Sequence, residues 1–127
     1  MSAKKVQLPV EIHRGDIFLA DLGRTTGAER GGRRVVVIVE NESTIGVTPT
    51  VIVAVLTKNS TAKKPSNVQF QAGKQNADIT VLLDQLRTID KRRLVKKVGR
   101  FFGYINSQID GALLFTLGID EGGYLNG

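Results

Sequence analysis

The chain has 127 residues, 41% of them hydrophobic and 24% charged, which is enough for one domain with a core and too apolar for wholesale disorder. It has no cysteine and a single histidine, His13, which excludes disulfides, thiol catalysis, Cys-based zinc sites and a two-histidine acid–base pair within one chain. A net charge of +6 favours polyanionic partners, nucleic acid first, although a basic protein with no such partner has the same balance.

No apolar run approaches the roughly 18 residues of a membrane span, and the lysine-bearing N-terminus lacks the apolar stretch of a secretory signal. A cytoplasmic protein without membrane contact is the expectation. Met1 to His13 is weakly patterned and is expected to be a flexible arm. Asp16 to Asp21 reads as the first strand, entered through Arg14-Gly15. Leu22 to Arg33 is a long loop with four glycines, a length at which loops are often functional. Arg34 to Val39 follows, five consecutive Val and Ile residues after the arginine. That run predicts a strand buried on both faces.

Glu40 to Thr48 is polar and turn-rich, closed by Pro49. Thr50 to Thr57 is a second almost wholly apolar strand, expected beside the Arg34–Val39 strand in the core. Lys58 to Pro65 is a basic loop, Asn67 to Phe70 a short alternating strand, and Gly73 to Asp78 a turn. Ile79 to Leu83 predicts another buried strand. The polar pair Asp84-Gln85 interrupts it, and Leu86 to Ile89 continues as a shorter one. Asp90 is placed to cap one helical turn through Lys91, Arg92 and Arg93, and Val95 to Phe101 is a last strand. From about Tyr104 the period changes. Ile105, Ile109, Ala112, Leu113, Thr116 and Leu117 recur at helical spacing, with Gly118 as the C-terminal cap. A domain over residues 14–118 with a tail over 119–127 follows. It is mainly β, six or seven strands with one C-terminal helix, in a small, strongly bent sheet or barrel.

Chemistry is expected where polar groups interrupt apolar runs at strand ends. Arg34 opens one strand, and its planar donors match phosphate oxygens. Thr57 closes the next, a hydroxyl after six apolar residues, and can add a donor. Asp84 in an apolar run needs partners if buried, either backbone N–H groups or Arg87. Gly31-Gly32 reads as a hinge or as close backbone approach to a phosphate; the Gly-Lys-Ser/Thr of a Walker loop is missing. Each position also fits a plain structural role: an exposed arginine at a strand mouth, a threonine favoured by strand propensity, charges kept for solubility. If the ligand is RNA, a route needing no metal uses its own 2′-hydroxyl, which attacks the adjacent phosphorus and leaves a 2′,3′-cyclic phosphate and a 5′-hydroxyl. Arginine is a poor base, with a pKa above about 12; by pKa, Asp84 and Glu29 are better ones.

Read together and in order, these segments resemble the MazF/PemK-like toxins of type II toxin–antitoxin systems. The resemblance runs from about Arg14 to Leu117. It is carried by Arg14-Gly15-Asp16-Ile17, Gly27-Ala28-Glu29-Arg30-Gly31-Gly32-Arg33-Arg34 with its Val/Ile strand, and Asn41. It continues in Pro49 to Thr57, Lys64-Pro65, Leu83 to Leu94 and the helix ending Leu117-Gly118. It implies an SH3-like barrel, a homodimer, a cognate antitoxin, and cofactor-free, metal-independent cleavage of single-stranded RNA at short sequences (an mRNA interferase). The positions matching the family's catalytic pair are Arg34 and Thr57. Ala28, Glu29, Arg30, Gly31 and Gly32 of the loop, with Asp84, Gln85 and Arg87, fall where RNA is contacted. Lys58 and Lys64 are candidate phosphate contacts. The segment Lys91 to Lys97 fits either phosphate contact or a solvated face.

Two departures stand out. Val35 follows the arginine where the family usually has proline, which restores a backbone donor and frees φ. Ala28 stands where some relatives have a histidine, so a mechanism relying on that histidine does not carry over. The same barrel also serves in toxins that bind DNA gyrase, and a non-catalytic nucleic-acid-binding barrel is a further alternative. With seven Phe and Tyr in all, base reading is expected to lean on hydrogen bonds more than on stacking.

Overall fold

The computed structural model describes residues 11–58, 64–74 and 77–119. Of the expected arm Met1 to His13, residues 1–10 lie outside them, as do Lys63 and the tail beyond residue 119. The end of the arm is not free, because Ile12 is buried in the core and His13 is hydrogen-bonded to Asp16 and Glu42. Six strands form one sheet: β1 (Asp16–Asp21), β2 (Arg33–Ile38), β3 (Thr50–Lys58), β4 (Asn67–Ala72), β5 (Ala77–Asp90) and β6 (Leu94–Arg100), followed by helix α1 (Gly103–Thr116). The strand order is β4-β5-β3-β2-β1-β6, and every pairing is antiparallel.

The Val35–Val39 run, predicted to be buried on both faces, packs into two cores. Val36 and Ile38 enter a core with Phe18, Val53 and Leu94 on one face. Val37 and Val39 enter a second core with Ala54, Val81, Phe101 and Ile109 on the other, beneath α1. A strand between two cores has no solvent face, which is why β2 and the Val53–Leu56 part of β3 show continuous apolar runs instead of alternation; Ile52, nearer the start of β3, is 38% exposed.

The polar pair Asp84-Gln85 does not divide a strand. β5 runs unbroken for 14 residues, and the pair sits on a bulge: Ala54 faces Leu86 while Val55 faces Leu82. Further register shifts lie between Ile17 and Phe18 and between Leu19 and Ala20, where β1 meets β6. Bulges sharpen local twist, and the sheet curls accordingly. Among the described residues its hydrogen-bonded ladder does not close, because β4 and β6 are not paired. Side chains bridge the gap instead: Phe70 of β4 and Phe101 after β6 meet edge to face, centroids 5.0 Å apart at 90°.

Helix α1 lies over the second core through Ile105, Ile109, Ala112 and Leu113. Thr116 is half-buried with its hydroxyl oxygen inside, whereas Leu117, expected on the same face, is 58% exposed. The helix ends in paired back-bonds, Gly118 N–H to Phe115 O at 3.0 Å and Ile119 N–H to Leu114 O at 2.9 Å. Gly118 takes the left-handed φ of 71° that this ending requires. Arg14 ties the helix to the sheet, reaching Asp110 at 2.8 Å and the Val39 carbonyl at 3.0 Å. Beside it Glu42 accepts from the Arg14 backbone N–H and pairs with His13, whose pKa the bond raises above 6.5.

Candidate active site

The β2–β3 ladder ends at Val36↔Val55. Continuing that register two residues further sets Arg34 across from Thr57, on the sheet face that carries Val36 and Val55. The strands part there, and a cleft of about 390 Å³ opens, lined by Arg33, Arg34, Val35, Leu56, Thr57, Lys58 and Ile79. Two strand ends 23 residues apart are thus brought to one site by antiparallel pairing alone. The cleft wall carries three cations and one hydroxyl, with no carboxylate among its lining residues. That balance suits an anionic group small enough to reach between the strands.

Arg34 is half-buried, and its Nε donates to the Gly31 carbonyl at 3.0 Å. One edge of the guanidinium is therefore fixed by the loop that precedes the strand. Val35 pairs with Leu19 and packs on the second core, so the strand is anchored immediately after the arginine without a proline.

The loop is built to hold that carbonyl. Its ends are pinned by Leu22 N–H to Gly32 O and Gly32 N–H to Gly23 O, both 2.8 Å. Thr25 Oγ1 donates to the Glu29 carbonyl at 2.9 Å. A Cβ on Gly31 would fall 2.7 Å from both the Gly23 carbonyl oxygen and Thr25 Oγ1, so no other residue fits there without moving backbone. Ala28 and Glu29 are exposed at the tip.

β5 grips the loop from the side. Gln85 Oε1 accepts from the Arg30 N–H at 3.3 Å. Arg87 donates through its two terminal nitrogens to the carbonyls of Arg30 and Leu22, both at 3.3 Å. One guanidinium thus bridges the two ends of the loop. Arg93 holds the other side, donating to the Asp21 carbonyl at 3.1 Å.

The residues singled out from sequence therefore fall into three groups. Arg34, Thr57 and Lys58 share the cleft. Ala28, Glu29, Arg30, Gly31 and Gly32 form the loop beside it, with Gln85 and Arg87 engaged on its backbone. Asp84 and Lys64 stand apart as an ion pair at 2.9 Å, both partly exposed. Asp84 is thus not the buried carboxylate its apolar surroundings predict, because the bulge turns it outward, and its partner is Lys64, not Arg87. Neither Asp84 nor Glu29 lines the cleft. Arg33 and Ile79 do so without having been singled out; the Arg33-Arg34 doublet was the available signal for the first, and Ile79 carried none.

A family model described as PemK-like, MazF-like toxin of type II toxin–antitoxin system matches residues 13–116. The chain belongs to this family. Solved structures agree on the fold of the toxin. An endoribonuclease in complex with its cognate antitoxin, from a mycobacterial species, is 24% identical. It matches over 87% of this chain and 98% of its own, with a TM-score of 0.73. MazF from Deinococcus radiodurans is 23% identical over 85% of this chain and 97% of its own, also at a TM-score of 0.73. A MazE–MazF complex from the same organism gives 23% identity, coverage of 86% and 97%, and a TM-score of 0.68.

Proposed function

We propose that this toxin is a metal-independent endoribonuclease that cuts single-stranded RNA, with Arg34 and Thr57 as its catalytic pair. The observation that carries the reading is the cleft between β2 and β3, which Arg34 and Thr57 line together among further cations. In the proposed reaction the substrate's 2′-hydroxyl oxygen forms a bond to the adjacent phosphorus as the bond to the 5′-oxygen breaks. The 2′-proton is given up, the departing 5′-oxygen takes one, and a 2′,3′-cyclic phosphate remains.

Arg34 stabilises the charge gathering on the phosphoryl oxygens. Its Nε is committed to Gly31, which leaves its terminal nitrogens for the phosphate. Thr57 Oγ1 adds a neutral donor, and Lys58 and Arg33 enlarge the positive field. Among the described residues no group of three or more His, Cys, Asp or Glu is placed to hold a metal ion, so the reading gives charge stabilisation to protein donors. The bases of an unstacked strand present their edges to the exposed loop, which a duplex would hide.

Relatives solved with an antitoxin support a cognate antitoxin as protein partner. A homodimer would cover Phe115 and Leu117, 60% and 58% exposed at the end of α1. No helix among the described residues is long and apolar enough to cross a membrane, which is compatible with a cytoplasmic toxin.

Incubation with a long single-stranded RNA in EDTA tests the proposal. Cuts at one short sequence, leaving 5′-hydroxyl ends, are expected. Intact RNA across several transcripts, from folded protein free of antitoxin, would remove the nuclease reading.

A further inference from the structure

The strongest concentration of charge lies outside the cleft. Lys91, Arg92, Arg93, Lys96, Lys97 and Arg100 fall within ten residues, on a 3₁₀ turn (Lys91–Arg93) and on β6. Among the described residues two carboxylates form ion pairs with them. Fully buried Asp16 holds Lys97 at 3.0 Å and Arg100 at 3.2 Å, and Asp90 holds Arg92 at 2.9 Å. Six cations against two carboxylates leave +4, in a chain whose net charge is +6. Lys96 is in neither ion pair and is exposed.

This charge lies on an open sheet edge, because β6 pairs with β1 alone. Two register shifts in that pairing leave Val95 and Val98 unmatched. Bulges and lysines on an edge discourage addition of another strand, so the edge presents side chains more readily than backbone. At the far end of β6 stand two exposed aromatics, Phe102 and Tyr104, 71% and 74% accessible. The Arg100 guanidinium lies 6.0 Å from the Phe102 ring centroid. A row of cations ending in exposed aromatic faces is what a single nucleic-acid strand needs: phosphates track the charge and bases stack on the rings.

The strip also points away from the cleft. Arg34 pairs with Ala20 of β1, and Ala20 pairs with Leu94 of β6. The start of β6 therefore lies two strand spacings, about 10 Å, from Arg34. From there the strand runs for about 20 Å to the aromatics, enough for several nucleotides.

We propose that the edge of β6, from Arg92 to Tyr104, is a sequence-independent track for the RNA strand flanking the cut site. It rests on the nuclease reading for the identity of the polyanion, and its test is independent of cutting. The probe is a 2′-O-methyl oligouridine of about 20 nucleotides, longer than a typical single-strand site, which lacks the attacking hydroxyl. Its affinity for the full chain is followed by fluorescence anisotropy against salt concentration. Lys96→Gln is expected to lower the slope of log Kd against log salt by about 0.7, the value of one lost phosphate contact on a single strand. Phe102→Ala should weaken binding about tenfold with the slope kept, and Phe102→Trp should retain it. Lys74→Gln, on the turn between β4 and β5, should change neither.

The track is overturned if Lys96→Gln and Phe102→Ala bind as the parent does. It is equally overturned if Lys74→Gln lowers the slope as much, since the effect would then be one of total charge. Losses of the expected kind in a chain that cuts no RNA would keep the track and remove the nuclease. Cutting without them would do the reverse.

Discussion

Among the described residues the Arg34 side chain is held by one hydrogen bond, Nε to the Gly31 carbonyl, and that contact bears on two sequence features at once. Gly31 must be glycine because a Cβ would strike the Gly23 carbonyl and Thr25. Proline after the arginine is dispensable because the loop, and Val35 packing on the core, already aim it. A second residue-scale device stabilises the turn before β6. Asp90 accepts from the Arg92 N–H at 2.8 Å and from its guanidinium at 3.0 and 2.9 Å. The Arg92 side chain, then its backbone N–H, holds the Asp90 carboxyl at about 2, below the ordinary 3.8. A carboxyl whose pKa is lowered by folding stabilises the fold above its unfolded pKa. That contribution is lost as pH falls through its folded pKa. Asp90→Asn should therefore be less stable than the parent above pH 3.8, and the gap should close as pH falls toward about 2. Chemical denaturation at stepped pH reads this; a gap that stays constant down to pH 2 would contradict it.

At the scale of elements, β5 does the most to shape the site. Its bulge turns Asp84 out to Lys64, while Gln85 and Arg87 hold the backbone of Arg30. Arg87 is a positioning residue by this geometry: it fixes Arg30, next to the Gly31 carbonyl that orients Arg34. Arg87→Ala should lower kcat by about 100-fold, the scale of loss for a small misplacement of a reacting group, with KM little changed. Arg87→Lys should recover only part, since one ammonium lacks the fork that bridges two carbonyls. A rise in KM with kcat kept would instead make Arg87 an RNA contact. Helix α1 depends on tertiary packing, with Gly111 in its middle disfavouring it by about 1 kcal/mol relative to alanine. Ile109, on the buried face of this helix and 2% exposed, should cost about 2–5 kcal/mol when replaced by alanine, read as a lower urea midpoint.

These elements differ in how far sequence reveals them. β2, β3 and α1 were legible because burial on two faces, or on one helical stripe, leaves a local pattern. The bulge in β5 was not. Asp84-Gln85 interrupts the apolar run just as a strand break would, and only the partner strand shows that pairing resumes. The Arg87 bridge to Leu22 spans 65 residues, beyond any local pattern. Leu117 follows the helical period and still points outward, because the core ends before the helix does.

Over the whole molecule, antiparallel pairing converts distant strand ends into one cleft and gathers the charge elsewhere. The sheet curls until Phe70 meets Phe101, yet its β6 edge stays open, where a closed barrel would have paired it. Arg34 and Thr57, the proposed catalytic pair, stand out in sequence because each bounds an apolar run within a matching order of motifs. That both line one cleft depends on the β2–β3 pairing, which sequence does not display. The most direct test of the central claim compares the parent chain with Arg34→Ala and Thr57→Ala on a long single-stranded RNA in EDTA, with cut sites and ends mapped. The account predicts 5′-hydroxyl ends from the parent and a loss of at least about 100-fold in each variant. Cutting at the parent rate by either variant, or 5′-phosphate ends, would contradict it.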